Sequence, residues 1–132
     1  MRDVRLDHVA VAVRDLEAAL KALEGLGLRC THVEEVSSEH VRTAFLPAGD
    51  AAVELLQPTS QEGAVARFLA SREGVHHVAF RVADLEDALR KATRAGLVVI
   101  PPAPRPGARN SWVAFLHPKS TFGVLIELVE RP

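Results

Sequence analysis

The sequence predicts an α+β fold made of two tandem modules, each with the element order βαβββ. Two observations support this prediction. A segment near the start of the 132-residue chain recurs in its second half, and in each copy a Val-rich run precedes apolar residues at helical spacing. Such repetition indicates one structural unit present twice. We expect one domain, with module 1 at about 1–58, a helix-bearing linker at about 59–74 and module 2 at about 75–132.

The repeat is visible residue by residue. When residues 7–20 are aligned with 76–89, more than half of the positions are identical. His8 falls on His77, and the apolar residues after each histidine also match. Two unrelated segments would rarely agree to this degree, so we interpret the chain as a duplication.

Each copy carries the same local signals. The apolar run from His8 to Val13 predicts a strand. Asp15 is expected to cap the helix that follows, and Gly27 to end it in a left-handed conformation. In the second copy Asp84 and Gly96 take these two positions.

Three shorter strands are expected after each helix. They are predicted at 29–36, 41–46 and 52–56 in module 1, and at 98–100, 111–116 and 124–129 in module 2. The proline-rich stretch Pro101–Gly107 and the stretch His117–Ser120 are predicted to be a loop and a turn. In the linker, Val65, Phe68 and Leu69 have helical spacing.

Composition narrows the function classes. The net charge is −1 and Lys and Arg are not clustered, which disfavours a nucleic-acid partner. Cys30 is the single cysteine, so an intramolecular disulfide is excluded. No apolar run has the length of a membrane span, and the start of the chain lacks a signal-peptide pattern. We therefore expect a cytoplasmic protein with no membrane partner.

Strand alternation separates two faces of the first strand. His8, Ala10 and Ala12 point to one side, and the valines between them point to the other. The valine face is expected to pack on the helix. The small alanines beside the histidine are expected to leave room for a bound group, and His77 begins the same arrangement in module 2.

A glutamate interrupts the apolar last strand of each module. Glu54 and Glu127 are costly to bury unless they are paired or bind a metal. Any one of these residues alone would more often be structural. Two histidines and two glutamates at duplicated positions, however, predict a metal site with His8, Glu54, His77 and Glu127 as ligands. Mixed imidazole and carboxylate donors suit Zn, Co, Ni, Mn or Fe.

Paired βαβββ modules with this ligand order resemble the vicinal-oxygen-chelate superfamily, which includes glyoxalases and bleomycin-resistance proteins. The resemblance implies a curved mixed β-sheet that forms a cup around a metal. Within the superfamily the chain is similar to the methylmalonyl-CoA epimerases. The motifs that carry this similarity are Asp7–Val13, Glu54–Pro58, Gly74–Ala79 and Val113–Leu128, the last with a His-Pro-Lys turn before Gly-Val-Leu-Ile-Glu-Leu.

The resemblance implies an isomerase that interconverts (2R)- and (2S)-methylmalonyl-CoA through an enolate. It implies Glu127 and Glu54 as catalytic residues, and a divalent ion that we expect to be Co²⁺, with Zn²⁺, Ni²⁺ or Mn²⁺ as alternatives. It also implies an acyl-CoA substrate and a homodimer. His117, Lys119 and Arg109 are candidate substrate-binding residues, although His117 and Lys119 also fit a plain surface turn.

One stretch departs from the family pattern. Some epimerases suggest a further acidic residue on the strand that here contains Arg42 and Thr43, which puts a second base from this strand in doubt; Glu39 lies just before it. Two alternative functions stay open. They are a glyoxalase I-like lactoylglutathione lyase and a ligand-binding member of the superfamily without enzymatic activity.

Overall fold

The computed structural model describes residues 4–132. The chain divides into two compact units, and each is described by itself. The first unit consists of residues 8–76, and the second unit consists of residues 4–7 together with 77–132.

Across the residues that the structure describes, eight strands and three α-helices follow one another in the predicted order. They are β1 (Arg5–Ala12), α1 (Leu16–Glu24), β2 (His32–Val36), β3 (Val41–Ala48), β4 (Ala51–Pro58), α2 (Ala64–Leu69), β5 (Gly74–Arg81), α3 (Leu85–Arg94), β6 (Val99–Gly107), β7 (Ser111–Leu116) and β8 (Ile126–Glu130). The α+β class and the two βαβββ modules are confirmed, and helix α2 lies within the residues expected for the linker. Within residues 4–132, no helix has the length and apolar character needed to span a membrane.

In the first unit the strands are hydrogen-bonded in the order β2-β3-β4-β1. β1 runs parallel to β4, and the other pairs are antiparallel. The Asp15 carboxylate accepts a hydrogen bond from the Ala18 N–H at 3.1 Å and so caps α1 as predicted. Val11 and Val13 pack with the apolar face of α1, which confirms the predicted role of the valine face.

The opposite face of β1 corrects one expectation. Ala10 and Ala12 are completely buried and pack in a cluster with Val65 and Leu69 of α2. The linker helix therefore covers the two alanines, where room for a bound group was expected. Their small size instead lets the linker helix lie against the strand, a contact between segments far apart in sequence.

The second unit repeats this construction. Its strands are ordered β5-β8-β7-β6, with β5 parallel to β8 and the other pairs antiparallel. The Asp84 carboxylate accepts a hydrogen bond from the Asp87 N–H at 3.1 Å and caps α3. Leu85 and Ala92 of α3 pack with Leu116 and Leu128 to form the core of this unit.

A left-handed glycine follows each of the helices α1 and α3, at the position that the sequence singled out. The N–H of Leu28 donates to the carbonyl of Leu23 at 3.3 Å, and that of Leu97 to Ala92 at 2.9 Å. This closing bond requires a left-handed residue just before its donor. Gly27 and Gly96 supply it with φ of 96° and 89°. The regular helix of α1 nevertheless ends earlier than predicted, at Glu24.

The expected loop Pro101–Gly107 is wrong, because the whole of this stretch belongs to strand β6. β6 is the last strand in the order of its unit and pairs only with β7 among the described strands. Proline lacks the N–H that an inner strand must donate to its neighbours. It is tolerated on a strand at the end of the order, such as β6. The pairing register shifts between Ile100 and Arg105, where the prolines lie.

Candidate active site

The first unit pairs His8 with Glu54. Parallel pairing of β1 and β4 sets Glu54 opposite Ala10, two residues beyond the histidine. His8 Nε2 lies 3.5 Å from Glu54 Oε1, and their side chains are 3% and 8% exposed. The Glu54 carboxylate is thus almost removed from water and has an imidazole beside it, and a buried carboxylate requires a partner of this kind.

The second unit pairs His77 with Glu127. The register of β5 and β8 sets Glu127 opposite Ala79, again two residues beyond the histidine. His77 Nε2 lies 2.9 Å from Glu127 Oε1, which is hydrogen-bond distance, and both side chains are buried. The duplication seen in the sequence is therefore also a duplication of a buried histidine–glutamate pair.

The donor chemistry of both pairs fits a divalent cation. Each offers one imidazole nitrogen and one carboxylate oxygen, the mixed set that borderline transition ions accept. Without such an ion, the cost of burying the carboxylate must be offset by its contact with the imidazole. The two glutamates are equally suited by type to take up or return a proton.

A phenylalanine and an arginine extend the second pair. Phe115 of β7 lies opposite Glu127 of β8. Its ring meets the His77 ring edge-on, with centroids 5.3 Å apart. The Arg105 guanidinium carbon lies 4.8 Å from the centre of the Phe115 ring, within the range of a cation–π contact.

Sequence reasoning missed Arg105, because it assigned this residue to a proline-rich loop. The sequence signal was an arginine shortly before the alternating apolar residues of the next strand. The face of the sheet on which this arginine lies, however, depends on the register shift in β6. The first unit has an equivalent of Phe115 but not of Arg105. Phe45 lies opposite Glu54, as Phe115 lies opposite Glu127.

His117 and Lys119 form a tight turn. The His117 ring Nδ1 accepts a hydrogen bond from the Lys119 N–H at 3.1 Å, and the His117 carbonyl accepts one from the Ser120 hydroxyl at 2.8 Å. Lys119 itself is exposed. These contacts explain the turn, while a role of either residue in substrate binding stays a prediction.

Arg109 lies beside a buried carboxylate of the second unit. Its Nη2 is 3.9 Å from Asp7 Oδ2. Arg131 grips the same carboxylate through Nε at 3.1 Å and Nη2 at 2.6 Å, and Arg81 Nε is 4.0 Å away. Sequence reasoning did not single out Asp7 for this ion-pair cluster. The substrate-binding role of Arg109 stays a prediction.

The strand that departs from the epimerase pattern has a buried threonine. Thr43 is 3% exposed, and its hydroxyl donates to the Glu34 carbonyl at 3.4 Å. Arg42 next to it is exposed and lies 3.8 Å from Glu17. Glu39 belongs to the short 3₁₀ turn Ser37–Glu39 before this strand. Of Glu39, Arg42 and Thr43, only Glu39 carries a carboxylate.

Comparison with known proteins gives a consistent family. Residues 7–115 match the model of the Glyoxalase/Bleomycin resistance protein/Dioxygenase superfamily. An uncharacterized protein of Bacillus subtilis is 37% identical over 96% of this chain and 91% of its own length. The ethylmalonyl-CoA/methylmalonyl-CoA epimerase of Cereibacter sphaeroides is 35% identical over 94% of this chain and 96% of its own.

A solved structure agrees with this. A single-residue variant of the methylmalonyl-CoA epimerase of Streptomyces coelicolor, in complex with 2-nitronate-propionyl-CoA, is 36% identical and superposes with a TM-score of 0.90 over 96% of each chain. The chain thus belongs to the glyoxalase/bleomycin resistance protein/dioxygenase superfamily, and within it to the enzymes of the methylmalonyl-CoA epimerase type.

Proposed function

We propose that this protein interconverts the (2R) and (2S) epimers of methylmalonyl-CoA. The observation that carries the proposal is the duplicated pair of buried side chains, His8 with Glu54 and His77 with Glu127. Relatives of nearly the same length are epimerases of this substrate, and one of them binds an acyl-CoA analogue. An acyl-CoA thioester is therefore the substrate class that we assign to this chain.

The proposal includes one divalent ion held by His8, Glu54, His77 and Glu127. Their donor types fit such an ion, and their burial in the absence of any ion would be costly. A bound divalent cation would act as a Lewis acid that stabilises negative charge on the thioester oxygen. Cobalt as the native ion is our expectation from the family resemblance.

The chemistry requires proton transfer on two faces of one carbon. A base breaks the Cα–H bond and takes the proton, while the electron pair moves toward the thioester carbonyl to give an enolate. Return of a proton to the opposite face produces the other epimer. We assign these transfers to Glu127 and Glu54, one for each face, because the duplication supplies one carboxylate from each module.

Other parts of the proposal rest on the sequence and the resemblance alone. His117, Lys119 and Arg109 are proposed to contact the carboxylate or phosphate groups of the substrate. A homodimer and a cytoplasmic location complete the proposal.

The test follows one epimer of methylmalonyl-CoA in deuterated water by NMR, with metal-reconstituted protein. We expect deuterium at the α-carbon and formation of the second epimer. Glu127→Gln and Glu54→Gln should each slow epimerisation about a hundredfold or more, whereas Glu86→Gln on the exposed side of α3 should not.

A protein that catalyses no exchange with Co²⁺, Ni²⁺, Zn²⁺ or Mn²⁺ would refute the epimerase proposal. The same preparations are then assayed with methylglyoxal and glutathione. Turnover of their hemithioacetal would indicate the glyoxalase I-like alternative.

A further inference from the structure

A continuous series of side chains links Arg105 to the histidine–glutamate pair of the second unit. The Arg105 guanidinium lies over Phe115, the Phe115 ring meets His77 edge-on, and His77 is hydrogen-bonded to Glu127. Phe115 and Glu127 are also direct cross-strand partners, so they share one face of the sheet. The positive charge of Arg105 is therefore connected to Glu127 through Phe115 and His77.

The equivalent position in the first unit carries the opposite charge. Arg105 pairs with Val113, two residues before Phe115. Glu34 pairs with Thr43, which lies two residues before Phe45 in the same way. Both modules thus have the histidine, the glutamate and the phenylalanine. At the position paired with the residue two before the phenylalanine, module 2 has Arg105 and module 1 has Glu34. The two modules therefore differ in the charge of this side chain, while the other three residues are the same in both.

We propose that Arg105 binds the free carboxylate of the substrate's acyl group. It would then select acyl-CoA thioesters that carry a carboxylate on the α-carbon over thioesters that lack one. The inference rests on the proposed function for its choice of an acyl-CoA, and it adds a specificity-determining residue to the proposed ligands.

The physical argument combines charge and geometry. The guanidinium group lies over the Phe115 ring. The N–H groups of a guanidinium match both oxygens of a carboxylate in geometry and charge. Partial burial against Phe115 reduces screening by water and strengthens the attraction. The same positive charge offsets the second negative charge that develops when a carboxylate-bearing thioester loses its α-proton.

The proposal is tested by calorimetric titration of metal-reconstituted protein with malonyl-CoA and with acetyl-CoA. The two probes differ in the carboxylate alone, so the ratio of their dissociation constants reports its recognition. We expect Arg105→Gln to lower the preference for malonyl-CoA by about tenfold or more and to leave acetyl-CoA binding unchanged.

Two further variants sharpen the result. Arg105→Lys keeps the charge but loses the planar fork, and it should give an intermediate preference. Arg94→Gln on the exposed side of α3 should behave as the unaltered protein. If Arg105→Gln does not fold, the ratio of the two dissociation constants in Arg105→Lys still tests the proposal.

An unaltered ratio in Arg105→Gln would overturn the proposal, and so would an equal loss of affinity for both probes. The wild-type protein must also prefer malonyl-CoA for the proposal to hold. Failure of the proposed function looks different, because it is absence of epimerisation by the unaltered protein. A carboxylate preference that depends on Arg105 can be present or absent in either case.

Discussion

The Glu130 carboxylate accepts a hydrogen bond from the backbone N–H of Leu85, the first residue of α3, at 2.8 Å. Gln57 makes the equivalent bond in the first unit, to the N–H of Leu16 at 2.7 Å. Each acceptor lies three positions after the glutamate of its module. The start of each helix is therefore fastened to the strand that carries Glu54 or Glu127.

Loss of this bond should destabilise the protein. The first N–H groups of a helix have no partner within the helix, so an acceptor from outside stabilises them by about 1 kcal/mol. We expect Glu130→Ala to lower the free energy of unfolding by that amount in urea denaturation. Glu130→Gln should retain most of the stability, since Gln57 serves this purpose in module 1. Equal losses in both variants would contradict the assigned bond.

Removal of the Asp7 carboxylate should have a larger effect. Asp7 is 6% exposed and is held by two hydrogen bonds from Arg131. Asp7→Ala would leave partly buried guanidinium groups without their counter-charge, at a cost of about 3 kcal/mol or more. Thermal and urea unfolding measure this loss. Asp50 lies in the exposed turn after β3, so Asp50→Ala serves as the control. It should change the free energy of unfolding little.

Metal affinity should depend on the paired residues. We expect one divalent ion per chain by elemental analysis, and a higher melting temperature on addition of Co²⁺ or Zn²⁺ because the ion binds only the folded state. His77→Ala should abolish the shift, whereas His32→Gln on an exposed position should preserve it. The same shift in both variants would place the ion elsewhere.

The Asp87 carboxyl should titrate at lower pH than an ordinary aspartate. Its pKa is lowered mainly by the hydrogen bond with Lys91, whose Nζ lies 3.0 Å away. A folded-state pKa below the unfolded one means that the stabilisation is present above the unfolded pKa and is lost as pH falls through the folded pKa. NMR titration should show the midpoint rising in Lys91→Met. An unchanged midpoint would rule out Lys91 as the main cause.

Several features were predictable because their signals are local. The caps Asp15 and Asp84 and the glycines Gly27 and Gly96 act on residues within a few positions, so short motifs suffice to predict them. Alternation along a strand likewise predicted that the valines of β1 pack on the helix. The same reasoning was wrong for Ala10, because the segment that covers it comes from the linker.

The sequence by itself determined that the chain is a duplication and that each copy carries a histidine and a glutamate at matching places. Their metal and catalytic roles stay predictions. Only the tertiary structure decided that the Arg105 guanidinium lies over the Phe115 ring and that Arg131 binds Asp7, which lies 124 positions away. Such contacts depend on strand register and on chain segments distant in sequence. A one-residue shift in register reverses the face of every side chain, and no short motif fixes it.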